Sequence, residues 1–253
     1  MKPIKMIATD LDGTLLQADK SISRQTFSAL EKCRQGGIKL VYATGRGSTA
    51  SYIVPPDLFD AGITQNGGMI HLGEKLISSI SIDYKISMVF LDACTKKGLK
   101  ASSEFEGIHY SNFDCEKEWP GSNINFKIVD YLEHKLNAEK LYVVIKTSEE
   151  EDFVLNNLPD ELYLSLARDG LGMIMHRDAT KGKALEKLAG IWNIDRSEII
   201  AFGDDTNDID MLQYAGSGIA MSNAVEEVKA AADFITKSND EDGIAIWLKE
   251  NLH

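Results

Sequence analysis

Residues 6–17 read MIATDLDGTLLQ, an apolar run that ends in two aspartates, Asp10 and Asp12, with Gly13 directly behind them. The apolar positions from 4 to 9 have the length and composition of a strand buried on both faces of a parallel sheet. The acids then stand at the carboxyl end of that strand, where an open parallel sheet binds its ligands. Side chains two apart on an extended segment leave on the same side. A turn after Asp10 must therefore separate the two carboxylates, and Gly13 permits one.

Outward from this stretch the elements alternate. Residues 21–37, SISRQTFSALEKCRQGG, place Phe27, Leu30 and Cys33 on one helical face, with Ser23 as N-cap and Gly36-Gly37 as stop; residues 38–43, IKLVYA, are a second buried strand. The order returns late in the chain. Residues 181–194 align Leu185, Leu188, Ala189 and Trp192 on one helical face, and 198–205, EIIAFGDD, follow as a strand. A helix over 205–214, a strand at 218–221 and a helix over 225–232 continue the series. This predicts an α/β fold, a doubly wound, mainly parallel Rossmann-like sheet with helices on both faces.

The middle is different. Residues 67–82 predict an antiparallel hairpin around Gly73-Glu74, and 84–98 a helix whose stripe Ile86, Val89, Phe90 and Ala93 is expected in a core. A strand at 140–147, a helix from Ser148 opening on the acids SEEED, and strands at 161–168 and 171–177 follow. Strands and helices that do not alternate strictly predict a separate α+β cap domain over 82–178, inserted between core segments 1–81 and 179–253.

Of 253 residues, 39 are Asp or Glu and 27 Lys or Arg, a formal net charge of -12. Such a surface repels nucleic-acid phosphates and anionic lipids, which argues against nucleic acid or membrane as partner. The N-terminus lacks the apolar core of a secretory signal, and no run is long enough to span a bilayer. Cys33, Cys94 and Cys115 form no C-x-x-C pair, which fits idle thiols in a reducing cytoplasm. The five histidines have no metal-ligand spacing. Trp119 reads more readily as a packing residue than as part of a loop over a substrate. No protein partner is implied.

Chemistry-bearing residues fall at the strand ends: TDLDGT (9–14), TGR (44–46), Lys181 opening a helix, and GDDTND (203–208). Asp10, Asp12, Asp204, Asp205 and Asp208 converging on one point at neutral pH require protonation or a cation. A hard divalent ion, Mg²⁺, suits an all-oxygen donor set completed by a substrate phosphate. Lys181, the Thr44 hydroxyl and the backbone amides of Leu11 and Gly45 suit the oxygens of a phosphoryl group. An aspartate among them is a competent nucleophile, Asp10 the better placed for attack and Asp12 for proton transfer. Lys181 also admits a second reading as a solvated first-turn residue, although a cation at that end of a helix opposes the dipole.

Taken in order, DLDGT, Thr44 in ATGR, Lys181 in TKGKAL and GDDTND resemble the motifs of haloacid dehalogenase superfamily phosphatases, of the Cof-type branch with a large α/β cap. The resemblance implies that Asp10 is nucleophile and metal ligand, and that Asp12 is general acid and base and lends its carbonyl to Mg²⁺. It implies Asp204 as a direct metal ligand with Asp208 in support. Thr44, Gly45, Lys181 and Asn207 would hold the phosphoryl group, and Arg46 and Asn66 would lie near the rest of the substrate. The implied activity is hydrolysis of a small phosphorylated metabolite, a sugar phosphate or phosphorylated cofactor, through an aspartyl phosphate. A phosphomutase and a non-catalytic phosphometabolite-binding regulator are the alternatives. To protonate the leaving group near neutral pH, Asp12 is expected to have a raised pKa.

Overall fold

A computed structural model describes residues 3–47, 50, 52–55, 57–122, 124–166 and 170–252. The chain divides into two compact units, residues 1–79 with 179–253, and residues 80–178.

The first unit opens with β1 (Met6–Thr9), α1 (Arg24–Gln35), β2 (Lys39–Ala43), β3 (Ala61–Thr64), β4 (Met69–Leu72) and β5 (Lys75–Ser79). The Ser23 side chain caps α1 by accepting from the Thr26 amide, as its position before the apolar stripe predicts. β1 to β3 pair in parallel, and β4 and β5 then turn back as an antiparallel hairpin.

The second unit supplies α2 (Tyr84–Lys97), β6 (Ala101–Phe105), β7 (Ile108–Ser111), α3 (Cys115–Glu118), β8 (Phe126–Ile128), β9 (Lys140–Val144), α4 (Ser148–Asn157), β10 (Leu162–Leu166) and β11 (Leu171–His176). Its sheet runs β10-β11-β9-β6-β7-β8, and Leu141 and Val143 of β9 and Ile174 of β11 share a core with Phe90, Leu91 and Cys94 of α2. Acids at the start of α4 serve the helix: Thr147 and Glu150 form a reciprocal capping box. The Trp119 ring packs edge-on against Phe113 at 5.2 Å. The expected strand 161–168 is β10, its last two positions lying outside the described residues. One core expectation fails: Val89 is 65% exposed. At about 100° per residue, the buried side of α2 centres between Ser87, Phe90, Leu91 and Cys94, and Val89 lies roughly 150° round from it.

The chain then completes the first unit with α5 (Lys181–Trp192), β12 (Ile199–Gly203), α6 (Ile209–Tyr214), β13 (Ser217–Ala220), α7 (Glu226–Ala231), β14 (Phe234–Ile235) and α8 (Gly243–Asn251). The sheet order is β14-β13-β12-β1-β2-β3-β4-β5. Side-chain alternation splits the interior in two. Met6, Ala8, Val41 and Ala201 pack on one face with Leu185 and Leu188 of α5. Ile7, Leu40, Ile200 and Phe202 pack on the other with Leu30 of α1 and Trp247 of α8. Thr9 of β1 is in register with Phe202 of β12 and with Tyr42 of β2. The residues just beyond these three strands therefore emerge at one sheet edge, which is what positions the site. Among the described residues no helix is long and apolar enough to cross a membrane.

Candidate active site

Asp10 leaves the end of β1 with its backbone still in the ladder, its amide donating to the Phe202 carbonyl at 3.0 Å. Its side chain meets Lys181, the first residue of α5, whose Nζ donates to Asp10 Oδ1 at 2.7 Å and to Asp208 Oδ1 at 2.6 Å. Lys181 is 1% exposed and Asp208 fully buried, so the solvated-surface reading of Lys181 does not hold. Burial works against the lysine's charge, but Asp10 and Asp208 outweigh it and hold its pKa above the usual value. Burial raises Asp10 well above the carboxylate range, Lys181 opposing this and Asp208 and Asp204 adding to it.

Both carboxylate oxygens of Asp208 accept hydrogen bonds within the protein. While Oδ1 takes Lys181, Oδ2 accepts from the Asp204 and Asp205 amides at 3.0 and 3.1 Å, closing the turn after β12. Asp205 caps that turn locally, accepting from the Thr206 amide. Asp204 stands in front, its Oδ1 taking a 2.6 Å hydrogen bond from the Thr14 hydroxyl. It rests against Gly13, which has φ +86° and where an added Cβ would lie 2.3 Å from Asp204 Oδ2. Any side chain at 13 would both strain the turn and displace the carboxylate. Burial, with Asp208 adding and Thr14 opposing, pushes Asp204 up to about 6. Asp10, Asp204 and Asp208 each offer an oxygen within 4.8 Å of the others. That all-oxygen set, in which burial penalises negative charge, fits a hard divalent cation.

A second wall comes from the ends of β2 and β3. Thr44 is buried, its Oγ1 accepting from the Arg46 amide at 3.1 Å, which leaves its proton to donate elsewhere. Gln65 and Asn66 both adopt left-handed backbone, φ 54° each. Their amides bond back to the carbonyls of Arg46 and Thr44 at 2.9 and 3.0 Å. Left-handed non-glycine residues cost on the order of 1–3 kcal/mol and gather at functional sites. Asn207 Nδ2 donates to Asn66 Oδ1 at 2.9 Å, and an added Cβ on Gly45 would lie 2.9 Å from the same oxygen. The Asn66 Nδ2 is buried with no partner among the described residues. Leu11 points its side chain into the core, fully buried.

Asp12 differs most from expectation. Arg46 grips it with both arms of its guanidinium, Nε to Oδ2 at 2.5 Å and a terminal nitrogen to Oδ1 at 2.7 Å, and Lys20 Nζ adds a bond to Oδ1 at 2.8 Å. The Arg46 hydrogen bonds, helped by Lys20, lower the Asp12 pKa to about 2, where a raised value was expected. The correction has a clear cause: a charge-assisted fork outweighs the desolvation of a carboxylate that is only partly buried. Three contributors were given no site role from sequence. Thr14 lies inside DLDGT itself; Lys20 and Gln65 carry no signal beyond their closeness to the motifs.

Comparisons with known proteins identify the family and the fold. Residues 7–248 match the family of haloacid dehalogenase-like hydrolases. The chain is 31% identical to the 5-amino-6-(5-phospho-D-ribitylamino)uracil phosphatase YwtE of Bacillus subtilis, over 98% of both chains. It superposes on the HAD subclass IIB sugar phosphatase BT4131 with a TM-score of 0.84 at 30% identity, over 97% of this chain and 98% of that one. Against the HAD phosphatase BT1666 of Bacteroides thetaiotaomicron the TM-score is 0.87 at 26% identity, over 98% and 95%. The chain belongs to the haloacid dehalogenase-like hydrolases, within which it is a phosphatase, a phosphoric monoester hydrolase.

Proposed function

We propose that the protein hydrolyses the phosphate ester of a small metabolite, a sugar phosphate or phosphorylated cofactor, with Asp10 as nucleophile and Mg²⁺ as cofactor. The observation that supports this best is the line Asp10, Lys181, Asp208, in which a buried cation orients a buried carboxylate beside Asp204. Relatives named for a ribitylaminouracil phosphate and for sugar phosphates support the substrate class.

In the first half-reaction an Asp10 oxygen bonds to phosphorus as the ester oxygen leaves; in the second, water displaces the aspartate and releases inorganic phosphate. Asp10, Asp204 and Asp208 would hold Mg²⁺, whose charge would offset that of the phosphoryl oxygens. Lys181 and the Thr44 hydroxyl would serve the same oxygens, with the amides of Leu11 and Gly45. The unpaired Asn66 Nδ2, steadied by Asn207, is a donor awaiting an acceptor on the substrate. Asp12, ionised in the grip of Arg46, is set to take a proton from water; to give one to the leaving group it must first be let go.

A screen of phosphorylated metabolites with and without Mg²⁺ tests the reading. Metal-dependent release of inorganic phosphate is expected, whereas an isomeric sugar phosphate as product would mean a mutase, and tight binding without turnover a regulator. Asp12→Ala is expected to lower kcat by about 10²- to 10⁴-fold, the range for loss of a proton-transfer group. A variant keeping most of its rate would remove Asp12 from that role.

Metal and pH are linked. A carboxylate whose folded pKa lies above its unfolded value binds more protons folded, so stability falls as pH rises between the two. For Asp204, moved from 3.8 to about 6, that loss is complete by neutral pH, and a bound cation would offset it. Mg²⁺ is therefore expected to raise the melting temperature more near pH 7.5 than near pH 5, and Asp204→Asn to erase most of the difference. Equal shifts at both pH values would count against the assigned site.

A further inference from the structure

We propose that Asn223 and Asn239 are positioning residues for the hydrolysis: they bracket the turn carrying Asp12, Gly13 and Thr14 and so fix where Asp12 and Asp204 stand. The inference rests on the phosphatase reading above. Neither asparagine belongs to the motif residues, and neither is offered as touching substrate.

The turn after β1 satisfies its inner carbonyls itself. The Thr14 and Leu16 amides donate to the Leu11 carbonyl, and the Leu15 amide to that of Asp10. Two further carbonyls of the turn, those of Gly13 and Leu16, are met from outside. Asn223, just beyond β13, donates from Nδ2 to Gly13 O at 2.8 Å, and Asn239 Nδ2 donates to Leu16 O at 2.8 Å. The two are joined, the Asn239 amide donating to Asn223 Oδ1 at 3.2 Å. Next to them Asp240 Oδ1 accepts from the Ala18 amide at 2.9 Å. Asn239 is itself held in a short turn, which Ser238 and Glu241 close by capping each other.

What the bracket holds reaches the chemistry within two residues. Gly13 is the surface on which Asp204 rests, and Thr14 supplies the hydroxyl that fixes Asp204 Oδ1. The segment bearing Asn223 also grips Asp204 from behind, the Met221 amide donating to Gly203 O at 3.0 Å and the Val225 amide to Asp204 O at 3.1 Å. Asp204 is thus set between two pieces of chain that Asn223 ties together. Asn223 is exposed and Asn239 half-buried, so water can replace either bond at little loss to folding. A catalytic carboxylate displaced by about 1 Å, in contrast, can lose about 10²-fold in rate.

The experiment measures kcat and KM for p-nitrophenyl phosphate at saturating Mg²⁺, Mn²⁺ affinity by electron paramagnetic resonance, and melting temperature. The proteins are the unaltered chain, Asn223→Ala, Asn223→Asp, Asn239→Ala, the double alanine variant, and Asn251→Ala as control, whose amide donates to Trp247 O on the last turn of α8. Asn223→Ala is expected to lower kcat about 10-fold and weaken Mn²⁺ severalfold, with KM within about twofold and melting temperature nearly unchanged. Asn223→Asp keeps the shape and the acceptor for Asn239 but loses the donor to Gly13, so it should be no better than alanine. The double variant should lose less than the product of the single losses, because both residues hold one turn. Wild-type kcat in the variants, a kcat that falls only with melting temperature, or full activity in Asn223→Asp would overturn the bracket alone. No turnover by the unaltered chain would overturn the phosphatase reading and the bracket's role with it.

Discussion

Asp10→Asn is expected to abolish turnover, lowering kcat by about 10⁵-fold or more, the scale on which an enzyme loses rate when its covalent nucleophile is removed. The amide oxygen of asparagine has almost no nucleophilic power, and it cannot form the acyl phosphate that splits hydrolysis into two steps. The fold should survive. Lys181 keeps Asp208 as an ion-pair partner, and the substitution removes one of three carboxylates that burial and mutual repulsion penalise. In metal-free protein the melting temperature should therefore stay level or rise. Acid quenching during turnover of a ³²P-labelled ester should leave label on the unaltered chain and none on Asp10→Asn. Label on another residue, or a variant that keeps even one part in a hundred of the rate, would move the nucleophile elsewhere.

The strands and helices that build the site were legible because burial on both faces writes itself into sequence. The runs ending at Thr9, Ala43 and Gly203 are apolar, and all three are strands that pair side by side. Helical periodicity likewise located α1, α2 and α5. It failed at Val89, where one apolar residue lies off the buried stripe, because spacing gives candidate faces and only packing selects one. The rule that ligands gather at strand ends brought Asp10, Lys181, Asp204 and Asp208 into one argument, and in the structure they are within reach of one another.

What sequence could not give was the choice of partner among charges. Arg46 lies 34 positions from Asp12 and Lys20 only 8, and nothing in either spacing says that both settle on the same carboxylate. An argument from the crowding of acids alone pushes the Asp12 pKa upward, and three-dimensional pairing reverses the sign. The left-handed turn at Gln65 and Asn66 was equally hidden, since neither residue demands that backbone. The turn exists because its amides reach the carbonyls of Arg46 and Thr44, which belong to another strand end. Pairings across tens or hundreds of residues, such as Thr14 with Asp204 or Asn223 with Gly13, are set by topology.

Lys181→Met should show how strongly stability and catalysis share one cation. Methionine fills similar space but leaves Asp10 and Asp208 facing each other, both buried, without the ammonium that bonds them at 2.7 and 2.6 Å. Removing one partner of a buried ion pair costs about 3–5 kcal/mol, a large share of the roughly 5–15 kcal/mol that holds a domain together. The deficit has a pH dependence of definite sign. Burial already raises the Asp10 carboxyl, and without the opposing lysine it is easier still to protonate in the folded state than in the unfolded chain, so folding binds a proton and stability falls as pH rises above the ordinary carboxylate range. Urea unfolding followed by tryptophan fluorescence should show a loss that is small near pH 4 and full near pH 7.5, partly recovered by Mg²⁺. Turnover should be lost at every pH, because acid restores the fold without restoring a cation to the phosphoryl oxygens. Adding Asp10→Asn to Lys181→Met should recover stability and no activity. A loss below about 1 kcal/mol at neutral pH, or one that is the same at both pH values, would mean that the two buried carboxylates do not depend on Lys181.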